Sequence, residues 1–421
     1  MNLRPYQIEG AAWLAGKGAA LLADEMRLGK SAQAVCSAFQ SGAERVGVIC
    51  PASVVAVWES QFKIWWPIDP PELKITSYDK ATRGALDGER FDVLILDEAH
   101  YLKTKDSKRT KKVFGVKCDG IGGLVERARK VIALTGTPAP NHPAEMWPVL
   151  RALAPETILK NGQPMGYWTF VQKYCVTRDN GFGIQITGGK NLGALKDAIA
   201  PFVLRRRYAD VAKDMPPLQI DVLPIVGTVP DEGALKDALK NVKDDDSLLA
   251  ALKRNAEHIA TLRRLTALAK VKGVVDWFRD WREGGGGKVV FFAHHRDVMH
   301  DLKVGLEGVT GAGSVAHVDG AMAQHNRKLE IRHFMERDEC ASFVGQLQAA
   351  GVGIDLSAAS TAIFVETSWV PGENQQAMMR IQKVGKTEMR QVYLATLPGS
   401  IDERVQMVSA RKMKDAVEVF G

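Results

Sequence analysis

Short apolar runs rich in β-branched residues recur along the chain: VGVIC ending at Cys50, DVLILD ending at Asp97 and KVIALTG ending at Gly136. Longer stretches of helical or mixed spacing lie between them, and this alternation predicts a parallel sheet wrapped by helices. A first α/β lobe is therefore expected over residues 1–205. From Asp231 to Arg282 the apolar positions fall three and four apart, as in LLAALKRNAEHIATLRRLTALAKV, so 206–283 reads as a helical insert and connection. Gly284 to Gly287 interrupt the pattern, after which strand-like runs resume: KVVFFAHH, GSVAHVDG, ASFVGQ, TAIFVET and RQVYLAT. The expected fold is α/β, with a second parallel-sheet lobe over 284–421 and a cleft where the lobes meet.

Composition narrows the class without naming it. The 421 residues are 46% hydrophobic, enough for real cores, and no apolar run approaches the roughly 18 residues of a membrane span. No signal-peptide layout stands at the start, and the five cysteines form no CxxC pair, so neither zinc nor a disulfide framework is indicated. A cytoplasmic protein is expected, with no membrane partner. The net charge of +7 tilts toward a polyanionic partner, and KTKDSKRTKKVFGVK, Lys103 to Lys117, carries seven basic residues and one acid. A solvated helix face explains such a run about as well as a phosphate-tracking surface does.

Chemistry enters with LLADEMRLGKSAQAV, Leu21 to Val35. A strand-like run passes through Asp24 and Glu25 into Gly29-Lys30-Ser31, which opens a helical pattern. At such a junction backbone N–H groups favour phosphate oxygens, a lysine reaches the terminal phosphates and a serine hydroxyl ligates magnesium. A lone GK[ST] is weak, but LILDEAH, Leu94 to His100, strengthens it. A strand ending in adjacent carboxylates can offer Asp97 to magnesium and Glu98 to an attacking water, the division of labour that phosphoryl transfer needs. A surface turn would account for Asp97-Glu98 alone, though not together with the upstream loop. His294 and His295 lack ligand-spaced partners and read as a hydrogen-bonded turn after a strand rather than a zinc site. Trp13, Trp65, Trp66, Trp277 and Trp281 fit apolar helix faces.

These motifs in this order resemble the superfamily 2 helicase-like ATPases, and among them the Swi/Snf-related double-strand DNA translocases. The resemblance covers nearly the whole chain and implies two RecA-like lobes, ATP and Mg²⁺ as cofactors, and double-stranded or branched DNA as partner. LRPYQIEGAAWL resembles the adenine-recognition segment, with Arg4, Tyr6 and Gln7 at the nucleotide. DEMRLGKS resembles the phosphate loop, with Arg27, Gly29, Lys30 and Ser31. VICPASVVAVWESQFKIW, ITSYDK, DEAHYLK and ALTGTPAPN imply DNA contacts at Ser53, Trp58, Ser77, Lys103 and Thr137, while Ser31 and Asp97 would hold the metal and His100 would relay between ATP and DNA. In the second lobe the resemblance implies DNA contacts at His295, Gln348 and Trp369. It also implies nucleotide sensing by Gly353, Asp355 and Gln376, and charge stabilisation by Arg380 and Lys383. The histidine run resembles the annealing-helicase branch most, and the bare layout resembles compact bacterial or phage members that work as monomers. Such a member would meet DNA in the nucleoid.

Three positions depart from the pattern. Arg27 replaces the loop's first glycine, and Lys383 and Lys386 stand where an arginine and a glutamine are usual. A lysine keeps the charge of an arginine finger but loses its planar fork. Two further readings therefore stay open beside the translocase: a strand-separating helicase, and a nucleotide-gated DNA-binding module with little hydrolysis.

Overall fold

The computed structural model describes residues 3–139, 141–179, 183–211, 218–230, 256–347, 354–368, 371–383, 388–400, 402–403 and 406. They fall into two compact units that divide after Ala212. The first unit carries β1 (Ala19–Leu22), β2 (Arg45–Cys50), β3 (Glu72–Ser77), β4 (Phe91–Asp97) and β5 (Ala128–Leu134). Two antiparallel hairpins follow, β6 (Leu159–Lys160) with β7 (Gln163–Pro164) and β8 (Cys175–Asp179) with β9 (Ile184–Gly189). The two-residue strand β10 (Val203–Leu204) returns to the main sheet, whose order is β10-β1-β5-β4-β2-β3.

Every neighbouring pair in that sheet is parallel. Parallel strands are covered on both faces, which is why β4 reads as an unbroken apolar run and Val93 to Leu96 are buried. Parallelism also sends the segments after β1, β2, β3, β4 and β5 to one edge of the sheet, the edge where open α/β sheets bind ligands. Helices Pro5–Ala15, Lys30–Gln40 and Val55–Trp65 flank this sheet, the first with proline at its opening position, where a missing N–H costs nothing.

The second unit is a sheet of order β11-β16-β15-β12-β14-β13, again parallel throughout. Its strands are β11 (Leu218–Pro224), β12 (Val289–Ala293), β13 (Val315–Val318), β14 (Ser342–Gln346), β15 (Thr361–Phe364) and β16 (Arg390–Thr396). The helix Ala256–Glu283 places Val274 and Phe278 in a core with Phe291, Val298 and Leu302. Within the stretch 206–283, expected as a helical insert and connection, Leu218–Pro224 and Ala256–Glu283 give the second unit an edge strand and a core helix. Residues 231–255 of that stretch lie outside the described set.

Candidate active site

The loop that follows β1 is pinned from three directions. Asp24 is 0% exposed, and Arg206, just past β10, reaches back to it. The Arg206 backbone N–H and Nε each donate to Asp24 Oδ1 at 3.0 Å, and Nη2 donates to Oδ2 at 2.5 Å. The same guanidinium donates to Gln33 Oε1 at 2.6 Å and to the Tyr6 carbonyl, and it lies over the Tyr6 ring at 5.3 Å. Gln33 in turn donates to Asp24 Oδ2 at 3.1 Å and to the Leu28 carbonyl at 3.2 Å. Gln7 accepts the Arg4 N–H at 2.9 Å and donates to the same Leu28 carbonyl at 3.2 Å. Of the expected nucleotide residues, Gln7 therefore meets the loop directly, while Arg4 holds Gln7 and Tyr6 meets Arg206. Arg206 had no place in the expected set, although three adjacent cations at a strand end were its signal.

At the far end of the loop, Gly29 has φ 74°, and a Cβ there would run into Gln7 Nε2. Only glycine suits both conditions. Arg27 also has positive φ, 68°, so the loop holds a side chain in the left-handed region where glycine costs least. Arg27→Gly is expected to be more stable than Arg27→Ala by about 1 kcal/mol, the reverse of the usual helix order. Urea unfolding of the two variants checks this, and equal stabilities would remove the backbone argument. Lys30 opens its helix and curls back, donating to the carbonyls of Asp24 at 2.7 Å and Glu25 at 3.2 Å. Burial pulls the Lys30 ammonium below its ordinary pKa, while Glu98, Asp24 and Asp97 pull it back up. Ser31, beside it on the same helix, is half-buried.

β4 ends at Asp97, whose carboxylate is held on both oxygens. Trp58 Nε1 donates to Oδ2 at 2.8 Å and the Glu98 N–H to Oδ1 at 3.0 Å, while the Tyr78 hydroxyl donates to the Asp97 carbonyl at 2.8 Å. Burial, and then the neighbouring Glu98, push the Asp97 carboxyl up to about 7 against the opposing Trp58 hydrogen bond. Glu98 takes φ 51°, and its Oε2 lies 3.2 Å from His100 Nδ1, which is 3.1 Å from Thr135 Oγ1. Two carboxylates share one half-buried corner.

A raised folded pKa fixes a sign. Between about pH 4 and pH 7 the unfolded chain has released the Asp97 proton that the folded chain keeps, so folding loses stability as pH rises through that window. Asp97→Asn removes this loss. Without magnesium or nucleotide, the variant is expected to gain about 2–3 kcal/mol relative to wild type on going from pH 4.5 to pH 7.5. Urea titrations at the two pH values measure it, and a gap independent of pH would contradict it.

The expected DNA contacts fare unevenly. Trp58 is 1% exposed and is spent on Asp97, so it is a buried partner of the carboxylate rather than a surface contact. Ser77 is buried as well, capping the helix Tyr78–Thr82 by accepting the Lys80 N–H at 3.3 Å. Ser53 and Thr137 are half-buried at the same sheet edge, Thr137 giving its N–H to Thr135 Oγ1 at 3.1 Å. Much of the basic run is already paired: Lys103 with Glu145 at 3.1 Å, Lys105 and Lys111 with Asp106, Arg109 with Asp79 and Lys112 with Asp87 at 2.6 Å. Those partners move the run toward a solvated, internally neutralised face.

In the second unit, His294 and His295 form the hydrogen-bonded turn after β12. Both backbone N–H groups donate to Glu366 Oε2, at 2.7 and 2.9 Å, and His295 Nδ1 lies 2.6 Å from Glu366 Oε1. Burial works to raise the Glu366 carboxyl, but the His295 ring and these amides outweigh it and hold it below the ordinary carboxylate value. Lys383 pairs with Asp355 at 3.5 Å, and the Arg380 carbonyl accepts the Leu356 N–H at 3.0 Å, which brings three of the expected residues together. Gln376 is buried on the helix Pro371–Met378. Gln348, Gly353, Trp369 and Lys386 lie outside the described residues.

The model of the SNF2-related domain matches residues 6–86 and 72–226, more than half of the chain, and that of the helicase conserved C-terminal domain matches 269–385. The chain belongs to the SNF2-related family. With the second match it is a helicase-like ATPase of superfamily 2, the class of DNA-dependent ATPases that the motif series implied. This SNF2-related chain is 31% identical over 92% of its length to a Caenorhabditis elegans homolog of SWI/SNF-related matrix-associated actin-dependent regulator of chromatin subfamily A-like protein 1. It is 26% identical over 98% of its length to the Mus musculus DNA annealing helicase and endonuclease ZRANB3. It spans 57% and 40% of those two proteins, about half. The solved Sulfolobus solfataricus SWI2/SNF2 ATPase core in complex with dsDNA aligns with 100% of this chain and 93% of its own, at 22% identity and a TM-score of 0.44.

Proposed function

We propose that this chain is an ATP-driven translocase on double-stranded DNA, remodelling or rewinding DNA structures with little sequence preference. The observation that carries the reading is the half-buried corner at the end of β4, where Asp97 and Glu98 lie in the field of the Lys30 ammonium. A carboxyl pushed up by burial and a like neighbour is a group that a dication would relieve, so the donors fit magnesium. Among the described residues no group of three His, Cys, Asp or Glu is placed to hold a metal alone. Ser31 and Asp97 would therefore hold it together with the nucleotide's phosphates, where it supplies charge neutralisation. The chain's own residues do the rest: Lys30 leaves the loop carbonyls for phosphate oxygens, Gln7 reads the base and Glu98 orients the attacking water. Arg380 and Lys383 are carried over by resemblance as the charges that meet the γ-phosphate. Contacts with DNA would be chiefly to its backbone and strongly salt-dependent.

Steady-state ATP hydrolysis without DNA, with single strands and with duplex tests this, with Lys30→Ala as the control. Stimulation by duplex that Lys30→Ala abolishes supports the motor. Turnover indifferent to DNA would sink it.

A nucleotide-gated DNA-binding module is the second reading. It is favoured by Arg27 at φ 68° and by Lys383 being paired with Asp355. In that case the unmodified chain binds ATP without turnover, and Arg27→Gly gains activity.

A further inference from the structure

Trp58 sits on the helix Val55–Trp65, on the strand-to-helix segment next to β4, and its ring is among the largest fully buried side chains of the chain. Burying an indole leaves one polar atom to satisfy, and here that atom meets a carboxylate oxygen at 2.8 Å. The pairing is specific in chemistry as well as distance. An indole N–H is donor only, carries no charge and does not titrate, so it holds Asp97 Oδ2 in every ionisation state of the site. With the Glu98 N–H on Oδ1, rotation of the carboxylate is stopped at both oxygens, while each keeps a second lone pair. Tyr78 fixes the same residue from behind through its carbonyl, and its ring stacks on Tyr101 at 5.6 Å.

We propose that Trp58 is a positioning residue for the ATPase reaction: its indole N–H holds the Asp97 carboxylate in the orientation that receives the nucleotide's divalent cation. The inference rests on the motor reading above and deepens it. Groups that orient a metal-ligating side chain commonly govern metal affinity by 10- to 100-fold without touching the metal. Trp58 acts on the cation through Asp97 and takes no part in contacting DNA.

The test is equilibrium binding of a fluorescent ATP analogue to the full chain, with magnesium and with chelator, in wild type, Trp58→Phe, Asp97→Asn and the double variant. Magnesium is expected to tighten binding in wild type, and Trp58→Phe to reduce that tightening about tenfold while leaving the chelator value within about twofold. In the Asp97→Asn background, Trp58→Phe should change the magnesium effect no further. Equal weakening with and without magnesium would make Trp58 a packing residue and overturn the proposal, as would an unchanged magnesium effect. Replacing Trp58 with benzothienylalanine, which keeps the indole shape and lacks the N–H, is expected to repeat the result even if the smaller phenyl ring fails to fold. A wild-type chain that binds no analogue under either condition overturns the motor reading, and this one with it. Loss of the magnesium effect in wild type alone, with binding retained, overturns only this one.

Discussion

Glu98→Gln is expected to lower ATP turnover by about 10²- to 10⁴-fold while nucleotide binding stays near the wild-type level. Glutamine preserves the length of the side chain and its capacity to meet His100, which stands 3.2 Å from Glu98 Oε2. It removes the negative charge that, in the proposed reading, turns a water toward the phosphoryl group. The backbone at this position already stands in the left-handed region, φ 51°, which sends the chain from β4 directly into the short turn Ala99–Leu102 and leaves Glu98 at the strand end. Lys30→Ala should behave differently, losing binding and turnover together, because in the proposed reading its ammonium meets phosphate rather than acting on water. Single-turnover hydrolysis beside equilibrium binding separates the two, and Glu98→Gln turnover within tenfold of wild type would remove Glu98 from its role.

Arg206→Ala is expected to cost the first unit about 3–5 kcal/mol, the range for breaking a buried ion pair from one side. Asp24 would be left buried without its ion-pair partner, and Gln33 and the Tyr6 carbonyl would lose a donor at the same time. Gly10 shows how tight the site is, since a Cβ there would run into Gln33 Oε1 and the Arg206 guanidinium. Hydrogen exchange should register the change as lost protection in the helices Pro5–Ala15 and Lys30–Gln40, with β12 and β15 of the second unit unaltered. Exposed pairs offer the contrast: Arg45 with Glu72, at 2.8 Å in solvent, should matter little. Uniform loss of protection across both units would contradict the assignment of Arg206 to the first unit's loop.

How much of this was legible along the chain follows from burial. The runs ending at Cys50, Asp97 and Ala293 could be read as strands because parallel strands covered on both faces are continuous apolar runs. The phosphate loop and the carboxylate pair were legible because their chemistry is local, carried by neighbours in sequence. What escaped was long-range or short. Trp58 finds Asp97 across 39 residues, and the family resemblance pointed it toward DNA instead. β10 is two residues long, and β11 is a partly exposed edge strand inside a stretch otherwise written for helix. The basic run stayed open between two readings for a related reason: Asp79, Asp87 and Glu145, which pair with it, are brought to it only by the fold.

The strand order also fixes when the nucleotide loop can come into being. β1 lies between β5 and β10, so its partners are residues 128–134 and 203–204. Arg206, which locks Asp24, follows it by 182 positions. A ribosome adding about 5–20 residues per second delivers that span in roughly 10–40 s. Until residues 128–134 emerge, the strand before Lys30 has no neighbour to pair with, and until Arg206 follows, Asp24 has no counter-charge, although both were among the first parts made. A message cut short before residue 203 would leave Leu21 and Leu22 without one neighbouring strand and Asp24 without its counter-charge.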